Sequence, residues 1–125
     1  MRLVLVILLG IIFISGCSGQ QQATTLSEQT QQTGETKEFD IIAKQWGYDP
    51  SVIEVKLGDM VKLNIKSEDV THGFTLSEFG IQETLKPGKT IEVEFSANKK
   101  GTFSFFCHIP CGNGHSGMNG KLIVK

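Results

Sequence analysis

Apolar and polar residues alternate with a period of two along several short stretches of the chain. Within residues 61–66, Val61, Leu63 and Ile65 fall on one side of an extended chain and the polar residues fall on the other. Residues 91–95 repeat this pattern, which is typical of a β-strand with one buried face. Seven strands are predicted, at residues 39–45, 52–55, 61–66, 71–76, 91–95, 102–107 and 121–124.

Turn-forming residues separate these strands, for example at 57–59, 86–89 and 98–101. No stretch of ten residues has the period of an amphipathic helix. Seven short strands at regular spacing predict an all-β domain, a Greek-key β-sandwich, over residues 39–125. We expect its core to include the aromatic run Phe103, Phe105 and Phe106.

The first 16 residues have the pattern of a secretory signal peptide. Met1 and Arg2 precede an apolar run over residues 3–14, and two small residues follow it. The run is short for a bilayer span. Residues 14–17, Ile-Ser-Gly-Cys, resemble a lipobox. This resemblance implies that Cys17 is acylated and that the exported protein is anchored by lipid to the outer face of the cytoplasmic membrane. An uncleaved membrane anchor is the alternative.

Residues 18–38 consist mainly of Gln, Thr, Ser and Glu, with almost no apolar side chains. Such a segment buries too little surface to offset its conformational entropy, so it is expected to be a disordered linker. The sequence therefore predicts three parts: a signal peptide (1–16), the lipidated Cys17 with a flexible linker (17–38), and the β-domain (39–125).

Charge and cysteine content narrow the class of protein. The 125 residues carry 12 Lys and Arg against 13 Asp and Glu, and the basic residues are scattered. This distribution argues against a nucleic-acid-binding protein that depends on phosphate contacts. Three cysteines are too few for a disulfide-dense domain. Acylation of Cys17 would leave Cys107 and Cys111 as the remaining pair.

Residues 107–118 contain a dense set of metal-binding side chains. Cys107, Cys111, His115 and Met118 supply two thiolates, an imidazole and a thioether within twelve residues. Soft ligands of this kind favour copper over harder cations. His72, in another predicted strand, is well placed to add a second imidazole.

Residues 69–74, Asp-Val-Thr-His-Gly-Phe, and the later motif Cys-x3-Cys-x3-His-x2-Met resemble the copper-binding domain of subunit II of haem-copper oxidases. That domain is a cupredoxin with a dinuclear copper centre, CuA. The resemblance covers about residues 45–125. It implies two copper ions that are bridged by two thiolates and completed by two imidazoles, a thioether and a backbone carbonyl. The corresponding residues are His72, Cys107, Ile109, Cys111, His115 and Met118.

The resemblance also implies a function. It points to an electron-transfer protein that is not an enzyme by itself and is at most a subunit of a cytochrome c oxidase-type complex. The expected partner is a redox protein, such as a cytochrome or an oxidase subunit. Trp46 and Tyr48 resemble the aromatic segment near which electrons enter the oxidase domain. The residues themselves favour packing, and electron entry at Trp46 is the alternative.

Several alternatives stay open at the level of sequence. A mononuclear blue-copper site would leave Cys107 spare and use the other side chains, His72, Cys111, His115 and Met118. Tetrahedral zinc or a disulfide between the loop cysteines would use part of the same set. The protein would then be a one-copper carrier, a copper-delivery or storage lipoprotein, or a redox sensor. His108 is expected beside the ligands or at the surface, with direct ligation as the alternative.

Overall fold

A computed structural model of the protein describes residues 34–125. Nine strands lie within this range: β1 (Thr36–Lys44), β2 (Gly47–Asp49), β3 (Val52–Val55), β4 (Met60–Ser67), β5 (His72–Leu76), β6 (Ile81–Leu85), β7 (Thr90–Ser96), β8 (Gly101–Phe106) and β9 (Asn119–Val124). The strand order is β2-β1-β4-β7 in one sheet and β3-β9-β8-β5-β6 in the other. Among the described residues, helix is limited to the 3-10 turns Ser77–Phe79 and His115–Gly117. The predicted all-β fold is confirmed.

Both sheets are mixed. Strand β1 pairs with β4 in parallel, and β3 pairs with β9 in parallel, whereas the other neighbouring strands are antiparallel. The alternation in β4 places Val61, Leu63 and Ile65 in the core, each at most 1% exposed. Opposite them in β7 lie apolar partners, Phe95, Val93 and Ile91. Such cross-strand pairs stabilise the sheet by packing on one face.

The sequence pattern does not predict β2 or β6. Strand β2 has three residues, and β6 is apolar only at its ends, Ile81 and Leu85. Both lie at sheet edges, but the reason is their sequence: β2 is too short and β6 is polar in its middle, so neither shows the alternation that identifies a strand. Strand β1 starts at Thr36, three residues before the first predicted strand.

The expectation for the aromatic run is wrong at one position. Phe105 is fully buried and Phe103 is half-buried, but Phe106 is 41% exposed. Successive side chains of a strand point to opposite faces. Because Phe105 points into the core, its neighbour Phe106 points outward.

The two ends of the sandwich differ in the residues that they contain. Strand β4 runs from the end that contains Asp59 to the end that contains Asp69. We call the first end the base. The second, the loop end, is where β5 begins with His72 and where residues 107–118 connect β8 to β9. The metal-binding residue types of the sequence therefore gather at the loop end.

The predicted signal peptide (1–16), the lipidated Cys17 and the linker up to residue 33 lie outside the described residues. From residue 34 onward, no helix has the length and apolar character needed to cross a bilayer.

Candidate metal centre

The loop of residues 107–118 starts and ends at adjacent strands. Cys107 follows β8 and Met118 precedes β9, and these strands are antiparallel neighbours. The amide of Cys107 donates a hydrogen bond to the Met118 carbonyl over 3.1 Å, which closes the loop. Gly112 has a φ of 126°, a conformation that favours glycine. The loop thus folds back over the end of the sandwich and brings its side chains together.

The sulfur of Cys111 lies at the middle of the cluster. It is 3.8 Å from Cys107 Sγ, 3.6 Å from His115 Nδ1 and 3.7 Å from Met118 Sδ. The thiol of Cys107 donates to the Ile109 carbonyl over 3.1 Å. The structure therefore brings together the five loop positions that the sequence predicts as ligands.

His72 joins this cluster from β5. Its ligand atom and the sulfurs of Cys107 and Cys111 all lie within 4.8 Å of one another, and all three residues are buried. Nε2 of His72 lies 2.7 Å from Asp69 Oδ1. Nδ1 is buried and has no hydrogen-bond partner among residues 34–125. A buried polar atom without a partner is costly, so Nδ1 is the nitrogen left for a metal.

Asp69 organises the segment before His72. Its carboxylate accepts hydrogen bonds from the amides of Gln45 and Val70, each over 2.7 Å, and it contacts the imidazole of His72. Burial alone would raise the pKa of Asp69, but the hydrogen bonds from Gln45, His72 and Val70 together hold that pKa below its usual value. The Gln45 side chain donates to the Cys111 carbonyl over 2.6 Å. One carboxylate and one amide thus connect β1, β5 and the metal loop. Neither contact is evident from the sequence motif.

The Cys111 thiol is protonated at neutral pH in the absence of metal. Burial, followed by the hydrogen bond with Cys107, raises the pKa of Cys111 to about 11. A metal binds the thiolate and not the thiol, so metal uptake must displace a proton. The Cys107 thiol donates its proton to the Ile109 carbonyl. Loss of this proton would free both the Cys107 sulfur and the Ile109 oxygen to bind a metal.

An aromatic cluster lies beneath the site. Tyr48 packs edge-on against Phe74 and Phe105, with ring centroids 5.8 and 5.2 Å apart. Burial and the nearby cysteines raise the pKa of Tyr48, so its hydroxyl stays neutral and donates to the Gly73 carbonyl over 2.6 Å. These rings exclude water from one side of the metal-binding cluster.

Trp46 and His108 lie beside the cluster. Trp46 is 46% exposed, and its ring occupies the space where a Cβ on Gly112 or Gly114 would lie. It therefore packs on the metal loop and also reaches the surface. His108 is half-buried, and its Nδ1 is 2.9 Å from Thr75 Oγ1. The structure places His108 beside the donor atoms of the cluster and not within it.

The donor set fits a copper ion. Two thiols, two imidazoles, a thioether and a carbonyl form a soft, mostly uncharged set of the kind copper prefers. Two sulfurs 3.8 Å apart subtend about 110° at an ion placed about 2.3 Å from each, the usual zinc–thiolate distance. The two cysteines can therefore bind one shared ion without moving apart.

The fold and the site define a copper-binding cupredoxin. The family model described as "Cupredoxin-like domain" matches residues 6–124, and the chain belongs to this family. Among curated proteins it is similar to subunit 2 of cytochrome c oxidase from Thermus thermophilus, with 34% identity over 85 residues. The match covers 68% of this chain and 63% of that subunit, so the chain spans less than two thirds of this relative.

Solved structures give the same grouping. A chain of a haem-copper terminal oxidase dimer has a TM-score of 0.66 and 28% identity, over 71% of this chain and 65% of that one. Auracyanin A, a blue copper protein from Chloroflexus aurantiacus, has a TM-score of 0.60 and 20% identity, over 72% of this chain and 99% of that one. The second likeness shows the fold alone. The predicted resemblance to the CuA domain of oxidase subunit II is confirmed in sequence and structure.

Proposed function

We propose that this cupredoxin is an electron-transfer protein with a dinuclear CuA-type centre and serves as the electron-entry module of a terminal oxidase. The carrying observation is the pair of buried thiols 3.8 Å apart. Both sulfurs lie within 4.8 Å of a ring nitrogen of His72, and Nδ1 of that ring has no hydrogen-bond partner among the described residues. A blue-copper site needs one thiolate, and the second thiol in the same cluster favours two bridging thiolates.

In this proposal each metal-binding residue has a separate role. Cys107 and Cys111 would supply the two thiolates shared by the ions, His72 through Nδ1 and His115 would supply the imidazoles, and the Met118 sulfur and the Ile109 carbonyl would be weaker donors. Bound copper supplies one-electron chemistry between Cu(I) and Cu(II). The chain's part is to keep the donors in place in both states, since a small change in geometry keeps the barrier to electron transfer low.

The surrounding structure supports rigid positioning. The adjacent strands β8 and β9 fix the two ends of the loop. Asp69 holds the ring of His72, and Gln45 holds the carbonyl of Cys111. The rings of Phe74 and Phe105 keep one side dry, which strengthens electrostatic effects at the metal. These contacts suit a centre that passes electrons and binds no substrate.

The proposed setting is extracytoplasmic. The chain is similar to cytochrome c oxidase subunit 2 and to a chain of a haem-copper terminal oxidase. We therefore propose a cytochrome or an oxidase subunit as the redox partner. Anchoring by lipid at Cys17, and electron entry through Trp46 where it covers the metal loop, belong to the same proposal.

Copper content and EPR of the full chain, purified in detergent and loaded with copper, test this function. Two coppers per chain, with one unpaired electron coupled to both nuclei, are expected. The variant Cys107→Ser should lose the coupled signal, because it lacks one bridging sulfur. A single copper whose signal is unchanged in Cys107→Ser would instead indicate a mononuclear blue-copper carrier. The absence of any stable paramagnetic copper would contradict electron transfer and favour copper delivery or storage.

A further inference from the structure

The peptide groups on both sides of Gly73 are tied to the metal centre. The Tyr48 hydroxyl donates to the Gly73 carbonyl over 2.6 Å, and the Gly73 amide donates to Cys107 Sγ over 3.2 Å. Both bonds are buried. Strand β5 pairs with β8 through Thr75 and Phe106. Two residues earlier in β5, the Gly73 amide binds a sulfur where a regular ladder would offer a carbonyl.

His108 occupies the space beside Gly73. A Cβ on Gly73 would lie 2.4 Å from His108 Nδ1 and 2.8 Å from the His108 backbone nitrogen. The imidazole therefore lies directly against the glycine Cα. Its Nδ1 is held 2.9 Å from Thr75 Oγ1, two residues further along β5. This contact fastens the residue after Cys107 to the strand that carries the amide donor.

We propose that His108, anchored by Thr75, is a positioning residue that keeps the Gly73 amide on the sulfur of Cys107 and so makes the two cysteines of the centre inequivalent. This inference rests on the copper function proposed above. Among the described residues, the side-chain partners of the Cys111 sulfur are sulfur and imidazole atoms, from Cys107, Met118 and His115. Cys107 receives a backbone N–H from another strand, that of Gly73 in β5.

The expected consequence is a tuned reduction potential. A hydrogen bond to a thiolate stabilises its electron-rich form, and hydrogen bonding around the cysteine sulfur is one of the factors that tune the potential of blue-copper sites. The reduced centre carries more negative charge on sulfur than the oxidised one. The Gly73 amide therefore raises the reduction potential, and loosening it should lower that potential.

The variant Thr75→Val tests the inference, because it removes the hydroxyl that anchors His108. Thr102→Val, at the exposed far end of β8, is the matched control. In the metal-free protein, NMR should show hydrogen exchange at the Gly73 amide about tenfold faster in Thr75→Val, the effect of losing about 1.4 kcal/mol of protection. In the copper-loaded protein, the midpoint potential should fall and the sulfur-to-copper absorption bands should shift. Thr75→Ser should restore all three values.

The outcomes are separable. If Thr75→Val folds, loads copper and keeps the wild-type exchange rate or the wild-type potential, the positioning role is overturned. If Thr75→Val fails to fold, His108→Phe retains a ring against Gly73 without Nδ1, and the same measurements decide. If the wild-type chain takes up no copper, the proposed function fails and the tuning role fails with it. Failure of the wild-type chain to bind copper is thus distinguishable from an unchanged exchange rate or potential in copper-loaded Thr75→Val.

Discussion

The base and the loop end each bury a polar side chain, but among the described residues only the one at the base has all its hydrogen-bonding atoms paired. At the base, Asp59 is 3% exposed, and its carboxylate accepts hydrogen bonds from the amides of Glu35 and Lys56 over 3.2 and 2.9 Å. Its backbone also pairs with Lys56 and Ala97. At the loop end, His72 is fully buried, and its Nδ1 has no partner within residues 34–125.

This difference separates what the fold needs from what a ligand supplies. An unsatisfied buried polar group costs about 1–3 kcal/mol. The base avoids that cost with its own backbone, since Asp59 fixes the turn between β3 and β4. The loop end accepts the cost at His72 and keeps the Cys111 thiol protonated beside it. The comparison therefore predicts that changes at the base affect stability and that changes at the loop end affect metal binding.

The largest expected effect is at the base. Asp59→Ala should lower the free energy of unfolding of the metal-free protein by about 3 kcal/mol, because the amides of Glu35 and Lys56 lose the acceptor of their partly buried hydrogen bonds. Urea denaturation measures this loss. Asp59→Asn keeps one acceptor oxygen and should lose about half as much. The copper bound per folded molecule should not change. A loss below about 0.5 kcal/mol, the level of an ordinary surface substitution, would remove the contrast between the two ends.

The next effect is at the loop end. His72→Leu should weaken copper binding by more than about 100-fold, or about 2.7 kcal/mol, in competition with a Cu(I) chelator. The stability of the metal-free protein should change by less than about 1 kcal/mol, because an apolar side chain of similar size removes the unpaired Nδ1. If this variant is destabilised as much as Asp59→Ala, the imidazole is a structural group and the comparison is wrong.

The fold was predictable where the pattern of residues is local. The alternation in β4 and β7 depends on neighbouring residues, so the sequence predicts both strands and their buried faces. The edge strands β2 and β6 lack that alternation. The position of Phe106 was predictable by the same rule, because Phe105 next to it is buried. The expectation for Phe106 relied on its aromatic side chain and not on the alternation of the strand.

The candidate site divides in the same way. The loop spacing brings Cys107 and Cys111 together, and the start of β5 adds His72. Their roles as copper ligands stay predictions. The supporting contacts join residues 24 to 66 positions apart, such as Asp69 with Gln45 and Cys111 with Gln45. Such contacts follow from the packing of the two sheets, and no local pattern encodes them.

A smaller effect is expected from the residue behind His72. Asp69→Asn should weaken copper binding about tenfold, in the range found for partners of metal-bound histidines. Gln45 binds Oδ2 and Val70 binds Oδ1, so Asn keeps an acceptor oxygen for only one of these amides, and it also loses the charge that orients the imidazole. Asp40→Asn, an exposed β1 carboxylate that binds Asn64, is the matched control and should bind copper normally. Equal affinities for the two variants would mean that packing alone orients His72.

The smallest effect is the pH dependence of the metal-free protein. The thiol of Cys111 has a pKa of about 11 in the folded chain, above the ordinary value of 9.0, because burial and Cys107 disfavour the thiolate. Below pH 9 both folded and unfolded chains hold this proton, and its contribution to stability is constant. Between pH 9 and 11 the unfolded chain releases the proton while the folded chain keeps it, so stability falls as pH rises, by at most about 1.4 kcal/mol per pH unit.

Urea denaturation under reducing conditions should show a shallower fall in Cys111→Ser than in the wild-type chain. Burial is the largest cause of the raised pKa of Tyr48 and is present in both chains, so the difference between the two slopes belongs mainly to the Cys111 thiol. Identical slopes would mean that the loop end opens to water without metal, and the contrast with the closed base would then be greater than the contacts of His72 indicate.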